Sequence, residues 1–359
     1  MNPSSDQPSG WLENVDPAKP VLKPKLLIVE LWGLGDLVIA TPFLRAAAEQ
    51  FDVTLLAKPF ALDLQPRLWP GVKVVPFTAP WTAFKYKDKY QLWRWPWLEM
   101  LRLFHRLSAE HFDFGLSARW DPRDHLLLKF VGVKNRIGFP RVWSQFFLTR
   151  PIARPGPELH RYESWRAIGG ALDFQLPPVG KIIQPAAPAR AAILIHSGAG
   201  QAVRVWPLEH CRQLAAHLRR NSFQVQIACD PDQRDWWLRA GETTVATPAV
   251  VTELILLIDR AGAFVGNDSG PGHLAAFCGV PTFTIFGPQL PEWFVPLHPA
   301  AEWIEGRACP YKPCSDYCRF PAPHCLWNLD QEEICARVEK FAAGCFAPEP
   351  ARAGRQSPG

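Results

Sequence analysis

The sequence predicts an α/β protein built from two Rossmann-like lobes, each a parallel sheet flanked by helices, with a cleft between them. Three observations carry this. An apolar strand, a glycine turn, a helix and a second strand follow one another from residue 25; the same order restarts near residue 192; and proline-rich sequence separates the halves. The 359 residues are enough for two domains, each able to bury a full core.

"KLLIVEL" (25 to 31) carries the continuous apolar run Leu26 to Val29, as expected of a strand buried on both faces of a parallel sheet. "GLGD" turns the chain, and "DLVIATPFLRAAAEQ" reads as one helix. "DVTLLA" is the second strand, "FDFGLSA" (112 to 118) a later one, and "HLLLKFVG" the helix after it. Around 151 to 190, "PIARPGPE" and "QPAAPARA" flank the single helix "HRYESWRAIGGAL", the pattern of a linker. The alternation then resumes with "AAILIH" as strand, "SGAGQAVR" as loop, "WPLEHCRQLAAHLRR" as helix, "FQVQIAC" as strand, "TELILLIDRA" as helix and "AFVGN" as strand. The expected division is a disordered leader over 1–24, an N-terminal lobe over 25–155 and a linker with a helix over 156–188. A C-terminal lobe over 189–305, a Cys-rich loop and helix over 306–346, and a disordered tail over 347–359 follow.

Hydrophobic residues make up 48% and charged residues 20%, a globular balance, while 16 Trp and 37 Pro are unusually many. A net charge of +5 with Lys and Arg spread along the chain does not point to nucleic acid; a diphosphate or an anionic membrane surface suits it. There is no run of about 18 apolar residues and the first twenty residues lack a signal-peptide pattern, so a cytoplasmic location is expected. Six of the nine Cys fall between 309 and 345. Cys309, Cys314, Cys318 and Cys325 lack paired Cys-x-x-Cys spacing, so reduced thiols rather than a metal are the default. "WTAFKYKDKYQLWRWPWLEMLRLFHRL" (81 to 107) mixes cations with aromatics, which suits either an interfacial segment or an aromatic surface helix packed on its own lobe.

In open parallel sheets, ligands bind beyond the carboxyl ends of the strands. Three such places stand out. Gly33 and Gly35 let the backbone approach a ligand, and Asp36 at the helix start is either an N-terminal cap or a general base facing the cleft. Ser197, Gly198 and Gly200 form a small-residue loop, Arg204 adds a fixed charge and Pro207 suits the next helix start, together a candidate diphosphate cradle. In "VGNDSGPGHLAAFCGVPTFTIFGP" (265 to 288), Asp268 can accept from sugar hydroxyls, Ser269 can bond phosphate or cap the helix, and Gly270 bares backbone N–H groups. Two glycines and a proline around His273 favour a ligand loop over a core contact. "DPD" (230 to 232) follows a strand and suits a turn near a nucleotide rather than a metal site.

"LLIVELWGLGDLVIATPFLRAAA" (26 to 48), "IHSGAGQAVRVWPLEH" (195 to 210) and "VGNDSGPGHLAAFCGVPTFTIFGP", in that order, closely resemble glycosyltransferase family 9, the ADP-heptose:lipopolysaccharide heptosyltransferases. "NRIGF" (135 to 139), "HRYES" (160 to 164) and "CPYKPCSDYCRFPAPHCLWNLDQEEICARV" (309 to 338) are also similar to segments of that family. The resemblance implies a GT-B fold with an acceptor-binding N-terminal lobe, a nucleotide-sugar-binding C-terminal lobe and a final helix crossing back. It also implies inverting, metal-independent transfer at the cytoplasmic face of the inner membrane, with no cofactor and no nucleic-acid partner. By the same resemblance Asp36 matches the base, with Gly33 and Gly35 on the acceptor side. Asp268, Ser269, Gly270 and His273 match the donor-site Asp-Ser/Thr-Gly-x-x-His pattern, and Arg204, with Ser197 and Gly198 of the small-residue loop, is expected on the same donor side. Glu30, Trp32 and Gly33 stand where many members have Arg and Ser, and Arg204 stands where Lys is common, which exchanges a point charge for a planar fork.

The chemistry of an inverting transfer agrees: one base deprotonates the acceptor hydroxyl, and positive electrostatics hold the departing diphosphate. The expected donor is a nucleotide diphosphate sugar, ADP-heptose first, and the expected acceptor a lipopolysaccharide-core or other lipid-linked saccharide, with peripheral membrane contact. The alternatives are a non-catalytic nucleotide-sugar-binding module of the same fold and a dinucleotide oxidoreductase. The latter lacks a complete Gly-x-Gly-x-x-Gly.

Overall fold

The computed structural model describes residues 23–82, 92–182, 192–314 and 316–346. The expected leader up to residue 22 and the tail lie outside the described residues, as does much of the aromatic segment near 83–91.

The N-terminal sheet contains β1 (Lys25–Glu30), β2 (Asp52–Ala57), β3 (Lys73–Pro76), β4 (Phe114–Ser117), β5 (Asn135–Gly138) and β6 (Arg150–Pro151). All are parallel, in the order β3-β2-β1-β4-β5-β6. The C-terminal sheet contains β7 (Ala192–His196), β8 (Gln224–Ala228), β9 (Val245–Ala246), β10 (Ala261–Asn267), β11 (Thr282–Phe286) and β12 (Glu302–Glu305). Its order, β12-β11-β10-β7-β8-β9, is the same doubly wound order repeated. In each sheet the strand order reverses beside the first strand, between β1 and β4 and again between β7 and β10. Crevices at the carboxyl ends of these pairs are where such folds hold ligands.

The N-terminal helices are α1 (Leu34–Ile39), α2 (Thr41–Gln50), α3 (Ala61–Leu68), α4 (Trp97–Ser108), α5 (Pro122–Phe130) and α6 (Tyr162–Ala171). The C-terminal ones are α7 (Leu208–Arg220), α8 (Arg234–Arg239), α9 (Val251–Ile258), α10 (Gly270–Phe277), α11 (Pro291–Phe294), α12 (His324–Trp327) and α13 (Gln331–Phe346).

Three expectations are revised. The run 36–50 is two helices, not one: Ala40 N–H bonds back to Leu37 O, and Pro42, which has no N–H to donate to residue 38, stands at the start of α2. The helix read as a linker, α6, belongs to the N-terminal core. Trp165 is buried with its ring 5.1 Å from Phe43, and Phe174 packs 5.6 Å from the same ring. The helix expected to cross back, α13, packs in its described contacts on its own C-terminal lobe, against α7 and β10. Its apolar stripe Ile334, Val338, Phe341 and Ala342 covers Phe283 and its neighbours, and Glu339 meets His217 at 2.7 Å.

Each lobe has an apolar cluster of its own, around Leu27 and Met100 in the first and around Ile193 and Phe283 in the second, and a third cluster is shared. The shared cluster runs from Leu26, Phe43 and Trp165 of the first lobe to Leu254, Phe264 and Leu274 of the second. Polar contacts reinforce it: Arg67 pairs with Asp259 at 2.6 Å, Val251 N–H donates to Asp63 Oδ2 at 3.2 Å, and Arg161 N–H donates to Trp293 O at 3.0 Å.

Candidate active site in the interlobe cleft

A cavity of 1630 Å³ opens between the lobes. Its walls include the loops that follow β1, β4, β7 and β10, the strands on either side of the two order reversals, joined by segments after β2, β5, β8, β9 and β11. The topology therefore explains why residues more than 200 positions apart share one space.

On the N-terminal wall, α1 begins after Gly33. Asp36 is its third residue, not its cap; its carboxylate accepts from Gly33 N–H at 3.2 Å, so the helix start and the carboxylate fix each other. Arg119, just past β4, forms an ion pair with Asp36 and lies 5.0 Å over the Trp32 ring. Burial alone would favour the neutral acid, but Arg119 and Arg161 outweigh it and hold Asp36 below the ordinary carboxylate range. Glu30, 3% exposed, is pushed the other way, to about 7, by burial, with Arg119 only partly offsetting it. Trp120 lies under two cations, Arg154 at 3.2 Å and Arg161 at 5.0 Å.

Opposite stands α10. Gly270 opens it, and among the described residues Ser269, at its cap position, makes no side-chain cap bond, and buried Ser269 Oγ and His273 Nδ1 have no hydrogen-bond partner. Burial and the nearby His160 lower His273 to about 3, so it is a neutral imidazole. The first turns of α1 and α10 touch across the cleft floor. A Cβ on Gly35 would lie 2.8 Å from His273 Cδ2, and one on Gly270 would lie 2.7 Å from Leu34 Cβ. These glycines are required for close approach of two helix starts.

Arg204 is engaged on two sides. Its Nε and Nη2 each donate to Asp316 at 2.7 Å, and Nη1 donates to Asp268 Oδ2 at 3.1 Å. It is thus neither a solvated surface charge nor an unoccupied cation. Asp268, 3% exposed, is raised to about 6 by burial despite Arg204.

Asp36, Arg204, Asp268, Ser269, Gly270 and His273 line the cleft together, with Gly33 and Gly35. Ser197 does not: its hydroxyl donates to Gln233 Oε1 at 2.8 Å and accepts from Trp237 Nε1 at 3.0 Å, facing the core. Its expected donor-side role is therefore corrected to a strut under the loop. Gly198 is likewise set back: a Cβ there would fall 2.4 Å from Asp230 Cγ, so the residue makes room for Asp230, which does line the cleft. Sequence reasoning missed Arg119, Arg161, Gln289 and Asp316. The position of "SARWDPRD" just after a predicted strand was the only signal for Arg119, and the approach of the Cys-rich loop to the cleft had none.

The sequence profile of glycosyltransferase family 9 (heptosyltransferase) matches residues 100–321, more than half of the chain. The chain belongs to this family. It is 24% identical over 371 residues to lipopolysaccharide heptosyltransferase 1 of Pseudomonas aeruginosa, covering 91% of this chain and 100% of that protein. A shorter match, 31% over 104 residues, links it to lipopolysaccharide heptosyltransferase 3 of Escherichia coli, covering 26% and 30% of the two chains. Among solved structures, the E. coli ADP-heptose lipopolysaccharide heptosyltransferase II aligns with a TM-score of 0.68 at 19% identity over 90% of this chain and 100% of that one. A family 9 glycosyltransferase from Veillonella parvula aligns with 0.71 at 15% identity over 91% and 99%. The fold of this heptosyltransferase-family member is GT-B, and the protein is a glycosyltransferase.

Among the described residues no helix is long and apolar enough to cross a membrane. Among the same residues no cluster of three or more His, Cys, Asp or Glu has a geometry that could hold a metal ion, and the nine cysteines are free thiols.

Proposed function

We propose that this glycosyltransferase moves heptose or a closely related sugar from a nucleotide diphosphate sugar, ADP-heptose first, to a lipid-linked saccharide, with inversion. The observation that carries the reading is the opposition of Asp36 to the α10 start across one cleft, with His273 against Gly35. The diphosphate lies against the N–H groups and positive end of α10, where Ser269 Oγ supplies a buried hydroxyl that has no hydrogen-bond partner among the described residues. Asp230 faces the nucleoside, and Arg204, paired with Asp268 and Asp316, lines the cleft beside the α10 start.

The acceptor enters from the N-terminal wall, which carries Arg119, Arg123, Arg141 and Arg161 and so suits an anionic saccharide. Asp36 takes the proton of the attacking hydroxyl as the sugar C–O bond to the diphosphate breaks. Neutral His273 beside it adds no charge and keeps the cleft floor closed to water. The reaction as drawn uses side chains and backbone donors without a metal, in the cytoplasm or at the face of the inner membrane.

The test is incubation with ADP-heptose and a panel of truncated lipopolysaccharide acceptors, comparing the protein with Asp36→Asn. Turnover by the wild type and a loss of at least about 100-fold in the variant is expected, with anomeric inversion in the product. Full activity in Asp36→Asn removes Asp36 as the base. Donor binding without turnover on any acceptor overturns the assigned acceptor class.

A further inference from the structure

Arg204 is the cation that sequence reasoning gave to the diphosphate, yet its fork is closed on a carboxylate from the Cys-rich loop. Asp316 takes Nε and Nη2 at 2.7 Å each, Gln289 Nε2 donates to the same Asp316 Oδ1 at 3.3 Å, and Asp268 takes Nη1. Three of the five guanidinium N–H groups are thus committed within the protein. What this part of the cleft mainly offers a ligand is therefore the remaining acceptor capacity of two carboxylates, the donor–acceptor sense that suits hydroxyls rather than a diphosphate. Asp316 is also held in a left-handed backbone conformation (φ 69°), which Asp tolerates better than most residues, and it faces the cleft beside Tyr317.

We propose that Asp316 is a sugar-reading residue of the donor site: with Asp268 it accepts hydrogen bonds from hydroxyls of the transferred polyhydroxylated sugar, and Arg204 fixes the spacing of the two carboxylates. The inference rests on the nucleotide-sugar reading above and adds a specificity residue to it. Both Asp316 oxygens accept from Arg204 and Oδ1 also from Gln289, so the carboxylate is oriented before the ligand arrives; Oδ2, with one donor in the protein, keeps a lone pair for a hydroxyl, and little ordering entropy remains to be lost when it binds. The same arrangement leaves the diphosphate to the α10 start.

The experiment is calorimetric titration of the full chain with ADP and with ADP-heptose, in the absence of acceptor, for the wild type, Asp316→Ala and Asp316→Asn. Wild type should bind ADP-heptose more tightly than ADP. In Asp316→Ala the ADP affinity should stay within about twofold while the ADP-heptose affinity falls at least about tenfold, the loss expected for a hydrogen bond to a charged acceptor. Tighter ADP binding in the variant overturns the proposal, because Asp316 then competes with the diphosphate. Equal weakening of both ligands, or equal wild-type affinity for both, also overturns it. If wild type binds neither ligand, the donor reading itself falls and takes the proposal with it. Should Asp316→Ala melt early, Asp316→Asn decides, since it keeps the size and one acceptor oxygen but not the charge.

Discussion

Arg119 and Asp36 are in direct contact, and the consequence is a carboxylate held toward its ionised form. Burial pushes Asp36 toward the neutral form, whereas the Arg119 and Arg161 charges hold it lower than usual. Activity that depends on ionised Asp36 is lost as pH falls through its lowered pKa. Arg119→Gln removes the main opposing charge, so the acid limb of the kcat/KM profile should move to higher pH. The same change leaves Glu30 and Asp36 with only the weaker opposing charge of Arg161, and breaking a buried pair costs up to ~3–5 kcal/mol. A destabilised variant with an unmoved acid limb would show that Arg119 acts through packing alone. Asp124 offers a separate test away from the cleft. It is fully buried, Ser117 Oγ donates to its Oδ2 at 3.0 Å, and burial followed by the Asp121 charge raises it to about 8. The folded chain therefore holds a proton that the unfolded chain releases near about 4, and this group's contribution to stability declines from there until pH passes about 8. Asp124→Asn, which cannot ionise, should gain in melting temperature relative to wild type between pH 5 and 8, with no further gain above. A constant difference across that range would mean Asp124 is ionised in the fold.

At the scale of elements, the contact between the α1 and α10 starts sets the width of the cleft. The Cβ in Gly35→Ala would sit 2.8 Å from a ring carbon of His273, a buried side chain with little room to retreat, so the helices must part by a few tenths of an ångström or more. A displacement of that kind between base and donor should cost turnover more than binding. Expected is a fall of about 10- to 100-fold in kcat, with ADP affinity held within a few-fold; unchanged kcat would show that the cleft floor repacks freely. The glycines of both turns, Asp36, and the Asp268 to His273 run were legible because each interrupts a long apolar strand with residues that a core does not need. Strands β1, β2, β7, β8 and β10 were legible for the same reason. β6 and β9 were not, having only two residues each, and β5, four residues with Asn135 and Arg136 among them, has no apolar run to mark it. The division of α1 from α2 was written in Pro42, but an apolar periodicity that continues across it masks the break. Ser197 misled because a small polar residue in a glycine loop reads alike whether it faces ligand or core. Its partners Gln233 and Trp237 lie 36 and 40 positions away, beyond any local pattern. The arrival of Asp316 at Arg204, 112 residues distant, is of the same kind.

For the molecule as a whole, two copies of one strand order imply two folding units, while the packing joins them. The apolar cluster that starts under β1 continues without a break into α9, β10 and α10. A segment from each side also crosses to the other: Asp63 receives the first N–H of α9, and Arg67 pairs with Asp259 just beyond its end, so α3 holds both termini of a helix in the opposite lobe. His160 Nε2 lies 3.0 Å from Val295 O, and the adjacent Arg161 N–H bonds Trp293 O, fastening the start of α6 to α11. Domains tied only by a linker and a polar interface unfold as separate transitions; domains that share buried apolar surface do not, because either half alone exposes that surface to water. Differential scanning calorimetry should therefore give one cooperative transition whose calorimetric and van't Hoff enthalpies agree. Arg67→Ala should lower its midpoint slightly, since the pair is about a third exposed on each side and such pairs are worth ~0–1 kcal/mol. Replacement of Leu274 by Ala, in the shared core, removes ~2–5 kcal/mol and should move the single transition down as a unit. Two resolved transitions in the wild type, or a Leu274→Ala variant that shifts only part of the heat absorption, would separate the lobes energetically and make the shared cluster a contact rather than a core.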